Sequence, residues 1–186
     1  MKNKFFYIWI SILIFGLGTY FLYPQFFTET SITNFLKSFN NYILPAYIII
    51  FILRSFTLIP NTPFVIAGTL LFPESPFLVL FISVFCIMFS SLIIYNFSEF
   101  LGFDKFFQNK YPDRIEQVKN KLNNRNGIIF IILWAFLPFA PTDLVCYAAG
   151  ILRIRVSIFL LGIFLGELPI CYFYIYSLKQ GLSILT

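Results

Sequence analysis

Polar and apolar residues in this chain fall in long blocks. After Lys4 the first block reads "FFYIWISILIFGLGTYFLY". It is about as long as a membrane span and ends in bulky aromatics and Pro24, not in a small-residue cleavage site, so it predicts a retained transmembrane helix. The next stretch, "PQFFTETSITNFLKSFNN", places Ile32, Phe35, Leu36 and Phe39 at helical spacing, as expected of a helix lying flat at an interface. From Tyr42 to Pro76 the chain is apolar again, interrupted by Arg54, a Pro60-x-x-Pro63 break and Gly68. An unbroken apolar run from Phe77 to about Leu101 is long enough to span. The strongly charged segment Phe103 to Asn126 follows, and its middle predicts a short amphipathic surface helix. The segment from Gly127 to about Arg155 then carries Pro138-x-x-Pro141 and Gly150. The last span, Val156 to about Leu178, carries Glu167 and Pro169 and ends in the tail "KQGLSILT".

These blocks divide the chain into an N-terminal helix and interfacial segment (1–41), a membrane domain (42–178) and a tail (179–186). Within the membrane domain the order of elements repeats. Residues 42–102 and 127–178, separated by the basic segment 103–126, each read as an apolar segment, Pro-x-x-Pro, Ala-Gly and one long span. The Ala-Gly pairs are Ala67-Gly68 and Ala149-Gly150. Internal duplication of this kind is a mark of transporter architecture.

Composition fixes the solvent. The chain is 59% hydrophobic, 22% aromatic and 11% charged over 186 residues, with a mean hydropathy of +0.85, where a soluble domain carries about 25% charged residues. This is the composition of an integral membrane protein, with little length left for a separate soluble catalytic unit. Histidine is absent, which removes the commonest catalytic base and transition-metal ligand. Cys86, Cys146 and Cys171 each lie in an apolar run and read as small buried hydrophobes. No nucleophile–base pair, metal-ligand cluster, P-loop, HExxH or GxSxG motif is visible. The expectation is a protein that is not an enzyme, binds no metal or organic cofactor, and has membrane lipids rather than nucleic acid as partners. Self-association is compatible with it.

Charge placement chooses the topology. If the Tyr42 to Phe72 region crossed the bilayer once, with the N-terminus inside, Lys105, Lys110, Arg114, Lys119, Lys121 and Arg125 would be exported, against the positive-inside bias. If each Pro-x-x-Pro element instead enters and leaves on one side, those residues lie inside with Lys2, Lys4, Arg153 and Arg155. Only Lys37 and Lys179 are then outside, and Arg54 remains in the membrane. The expected fold is therefore an all-α integral membrane protein: an N-terminal transmembrane helix, then an inverted repeat of two opposed re-entrant helical hairpins, each followed by a transmembrane helix. Pro60, Pro63, Gly68, Pro138, Pro141 and Gly150 are expected at the hairpin turns, because proline removes backbone donors and such breaks are tolerated only where protein or a hydrated cavity surrounds them. The tips are expected to meet near the midplane.

Three ionisable residues fall in apolar runs: Arg54, Asp143 and Glu167. A charged residue costs at least about 2.5–3.5 kcal/mol at the centre of a membrane helix, so all three are candidate substrate-binding residues. The planar guanidinium of Arg54 suits phosphate oxygens, and the two carboxyl groups are candidates for proton uptake, with the proton as a coupling ion. The alternative is a structural ion pair, Arg54 with Asp143 or Glu167, that clips the hairpins together. Glu99 and Asp104 flank the inner end of a span and read as interfacial. The basic segment reads as a solvated inner loop, with attraction to anionic headgroups as the alternative.

The stretches "IPNTPFVIAGTLLF" and "LPFAPTDLVCYAAGILRIRVSIFLLGIFLGELP" resemble the two repeats of the DedA/VTT-domain superfamily, on the SNARE-associated Golgi protein side. The likeness covers roughly Tyr42 to Ser177. It implies opposed re-entrant hairpins and lipid translocation, since members are thought to flip undecaprenyl phosphate or scramble phospholipids, and bacterial members are linked to the proton motive force. Where related sequences often place an arginine before the second Pro-x-x-Pro, this chain has Ala135 and Phe136, which leaves Arg54 as the only cation in the hairpins. The functional expectation is a transporter of a phosphate-bearing lipid in a bacterial-type cytoplasmic membrane. The alternatives are a non-selective scramblase, an ion or small-solute transporter, or a non-transporting assembly factor.

Overall fold

The computed structural model describes the backbone of residues 2–100, 112–122, 125–138 and 140–185, and the side chains of 9–98, 116–120, 122, 127–138 and 140–181. Among the described residues every regular element is helical: α1 (Lys2–Leu22), α2 (Glu29–Lys37), α3 (Ile43–Arg54), α4 (Thr62–Leu71), α5 (Pro76–Phe100), α6 (Pro112–Leu122), α7 (Arg125–Ala135), α8 (Thr142–Ile151) and α9 (Val156–Leu185). Two of them are long and apolar enough to cross a membrane, over Pro76–Ser98 and Val156–Gly181. The described apolar part of α1 is Trp9–Leu22. Helices are the expected answer for apolar blocks of this length, because in lipid each backbone donor and acceptor must be satisfied within the segment.

Between α3 and α4 the chain makes a 3-10 turn over Ser55–Thr57. Leu58 then takes a left-handed conformation, φ 59°, which redirects the backbone before Pro60. Pro63 lies in the first turn of α4 rather than at the tip, a position where the missing N–H has no intrahelical role. Pro138 and Pro141 lie in the second break, and Pro141 caps the start of α8. Gly68 and Gly150 are not turn residues either, being inside α4 and at the end of α8. They are contact points: a Cβ on Gly68 would strike the Tyr47 hydroxyl, and one on Gly150 would strike Ser98 Oγ and the Tyr95 carbonyl of α5.

Side-chain pairings show how the short helices run. Phe51 stacks on Phe64 with ring centroids 5.8 Å apart, and the Tyr47 hydroxyl donates to the Phe64 carbonyl at 3.2 Å. Phe51 thus meets Phe64, while Tyr47, a turn further from the break on α3, lies against Gly68, a turn further from it on α4, so the arms are antiparallel. Across the second break, Trp134 Nε1 donates to the Pro141 carbonyl at 3.4 Å, and Phe130 and Trp134 of α7 line one crevice with Leu144 and Ala148 of α8.

The halves interlock. α3 packs on α5 and α7 on α9, within each half, while α8 packs on α5 and α4 packs on α9 as well as α5. Close approach of α7 and α9 depends on Gly162 and Gly166, where an added Cβ would come within 2.7 Å of Ile131 and 2.6 Å of the Ala135 Cβ. Small residues four apart allow this kind of contact between membrane helices, where packing rather than the hydrophobic effect holds helices together. α2 packs on α4; it buries Ile32 and Leu36 and leaves Phe35 exposed. α9 continues through Pro169 to Leu185, beyond the expected end near Leu178.

Of the charged segment, α6 covers Pro112–Leu122, which accords with the amphipathic helix expected there. Gly102, Asp104, Lys105 and Lys110 lie outside the described residues, as do the side chains of Lys2, Lys4, Glu99, Arg114, Lys121 and Arg125.

Candidate functional site

The two helix breaks touch. Thr62 Oγ1, just past the first break, donates to the Pro138 carbonyl of the second at 3.1 Å. This contact brings the ends of four short helices to one place, and the three ionisable residues of the apolar runs converge there.

Arg54 is the last residue of α3. Its Nη1 donates to the Ile59 carbonyl at 2.7 Å and to Asp143 Oδ2, also at 2.7 Å. The two side chains of this ion pair are 3% and 2% exposed. The guanidinium carbon lies 5.2 Å from the Phe51 ring centroid and 5.9 Å from that of Phe64, so the stacked pair of rings forms a cation–π wall. Arg54 Nε is buried without a hydrogen-bond partner, and so is Ser55 Oγ, which lies beside Asp143.

Asp143 is the second residue of α8, in the first turn, where the helix dipole favours a negative charge. Both Arg54 and the helix N-terminus therefore support its carboxylate. Glu167, 2% exposed near the middle of α9, has different company. Its Oε1 accepts from Asn61 Nδ2 at 2.8 Å and, through a short contact, from Thr142 Oγ1. These donors are neutral. A hydroxyl and an amide each offer an acceptor as well as a donor, so the same pair can satisfy Glu167 in either protonation state.

The structure thus brings Arg54, Asp143 and Glu167 into one cluster and settles the pairing as Arg54 with Asp143. It places Pro60 and Pro138 in the two breaks between helices. Sequence reasoning passed over Asn61, Thr62 and Thr142. The available signal was that Asn61 and Thr62 are the two residues between Pro60 and Pro63, polar positions at a break in an otherwise apolar block. Tyr47 was also passed over; it is fully buried, with its hydroxyl 3.2 Å from Ser83 Oγ. Tyr95 and Tyr147 fix neighbouring elements: the Tyr95 hydroxyl donates to the Ile154 carbonyl at 2.7 Å, and Trp9 Nε1 of α1 donates to the Tyr147 hydroxyl at 2.9 Å. Cys86, Cys146 and Cys171 are free and buried.

No curated protein and no solved structure matches the chain. The model of the VTT domain family matches residues 59–180. The chain belongs to the VTT-domain family, the domain of the DedA and SNARE-associated Golgi proteins. With its two long apolar helices, it is a membrane protein. The matched VTT region contains Asn61, Thr142, Asp143 and Glu167, the whole of the second helix break and the last residues, 59–61, of the first. Arg54 lies just upstream of it, on the helix that delivers the chain to the first break.

Proposed function

We propose that this VTT-domain protein translocates a phosphate-bearing lipid across the cytoplasmic membrane of a bacterial-type cell, with undecaprenyl phosphate the first candidate and a phospholipid the second. The observation that carries the reading is the state of Arg54. Its buried charge is answered through one nitrogen, while Nε has no partner. A guanidinium has five N–H donors in a planar fork, and a phosphate entering beside Asp143 would engage donors that the carboxylate leaves unused. Phosphate and Asp143 would then compete for the arginine, with Glu167 taking up a proton as the pair opens. Translocation of a labelled lipid phosphate by the reconstituted protein tests this reading.

In this account α3–α4 and α7–α8 are re-entrant hairpins, opposed in direction, with their tips and the polar cluster near the midplane. Antiparallel arms, the crossed packing of α4 on α9 and α8 on α5, and the charge distribution support it. The N-terminus and residues 103–126 are cytoplasmic.

One observation favours a second reading, a non-transporting assembly factor. The Arg54–Asp143 pair already joins the two halves, as the Thr62–Pro138 bond does, so the charges would serve cohesion alone. Lipid movement separates the two readings.

A further inference from the structure

A second feature lies on α9 at the level of Glu167, within one helical turn of it. Between α5 and α9 runs a groove of about 320 Å³, bounded by Phe77, Phe81, Val84 and Met88 on one side and by Phe164 and Leu168 on the other, with no polar surface in its walls. On its α5 edge Phe81, Phe85 and Phe89 form a ladder. Their centroids are 6.5 and 5.9 Å apart and successive rings are tilted by only 14° and 8°. All three rings are exposed.

The geometry points to a groove for the hydrocarbon tail of a membrane lipid whose phosphate engages Arg54; this rests on the lipid-transport reading. Three observations converge on that occupant. Both walls are the helices long enough to span, so the open side of the groove faces hydrocarbon. The α9 wall lies at the depth of the polar cluster, because Phe164 and Leu168 flank Glu167, about 60° and 100° round the helix from it. From Met88 to Phe77 the α5 wall extends about 16 Å, at 1.5 Å per residue, toward the start of α5. A tail in the groove would therefore begin beside the headgroup site and run toward one membrane face.

The test uses the full-length protein in vesicles of phosphatidylethanolamine and phosphatidylglycerol, with trace lipid phosphates carrying a photoactivatable group in an acyl or a prenyl tail. Adducts are expected on residues 77–88 and 164–168, displaced by excess unlabelled lipid phosphate of the same tail. The two probes tell which tail class the groove takes. Adducts spread evenly over all lipid-facing helices would overturn the proposal. Val84→Cys, alkylated after folding with a long-chain maleimide, should translocate lipid phosphate about ten-fold more slowly than the same variant untreated, the effect of losing burial of about two methylenes. The buried native cysteines make treated wild type the control. If the treated variant keeps its rate while wild type moves lipid, the groove assignment fails and the transport reading stands. If wild type moves no lipid phosphate, the transport reading fails and the adduct map alone decides the groove. A disulfide-linked dimer of V84C in membranes would put a second copy over the groove and overturn the proposal.

Discussion

Asn61 Nδ2 lies 2.8 Å from Glu167 Oε1, 106 residues further along the chain, and so ties the first helix break to the middle of the last long helix. Thr142, beside Asp143, donates to the same oxygen. Glu167 is therefore the residue at which both breaks and a spanning helix report to one another, and its donors are neutral groups able to reverse their bonds.

Glu167→Gln keeps the shape and most of the hydrogen bonding of this cluster while removing the exchangeable proton. The variant is expected to fold in the membrane at wild-type yield, and its translocation rate, followed between about pH 5 and 8, should lose the pH dependence of wild type. An unchanged pH profile would rule out Glu167 as the proton carrier.

The Arg54–Asp143 pair is buried on both sides, so removing one partner strands a charge. Asp143→Leu alone should lower stability by about 3–5 kcal/mol, whereas Asp143→Leu with Arg54→Met should recover a large part of that loss. Thermal unfolding in detergent, set out as a double-mutant cycle, measures the coupling. Strictly additive losses would mean that the two charges do not meet in the folded protein.

Gly166 and Gly18 make a matched pair of tests. A side chain at Gly166 runs into Ala135 and the Ile132 carbonyl, whereas at Gly18 nothing lies within 4 Å. Gly166→Leu should lower the melting temperature sharply by forcing α7 from α9, and Gly18→Leu should leave it within a degree or so of wild type, since surface changes usually stay within about 0.5 kcal/mol. Equal effects would show that α7 and α9 do not approach closely.

Asn120 is an exposed residue of α6, on the segment whose side decides the topology. Asn120→Cys in intact cells should resist a membrane-impermeant thiol reagent and react once the membrane is opened. Labelling from outside would contradict the re-entrant arrangement.

Much of this was legible in the sequence, for a physical reason. In lipid the cost of a broken helix or a buried charge is high enough that Pro60, Pro138, Arg54, Asp143 and Glu167 stand out against an apolar background. The same background hid Asn61, Thr62 and Thr142. Uncharged polar residues are cheap in membrane helices, and their importance lies in the partner across the fold, which no local pattern records. Gly68 and Gly150 were expected at the turns because each follows a Pro-x-x-Pro break in the repeated order of elements. Their actual role, to let Tyr47 and Ser98 approach, depends on neighbours from other helices. The choice of Asp143 over Glu167 as partner of Arg54 likewise rests on where α8 begins.

In the proposed function, Arg54 holds the phosphate of a transported lipid. The most direct test is the rate at which the purified protein, reconstituted in vesicles, moves a fluorescent lipid phosphate between leaflets, compared with Arg54→Ala and Arg54→Lys. Wild type is predicted to move the lipid, with Arg54→Ala slower by about 100-fold, as expected when a charged hydrogen-bond donor worth about 2–3 kcal/mol is lost, and Arg54→Lys intermediate. Equal rates for wild type and Arg54→Ala would contradict it.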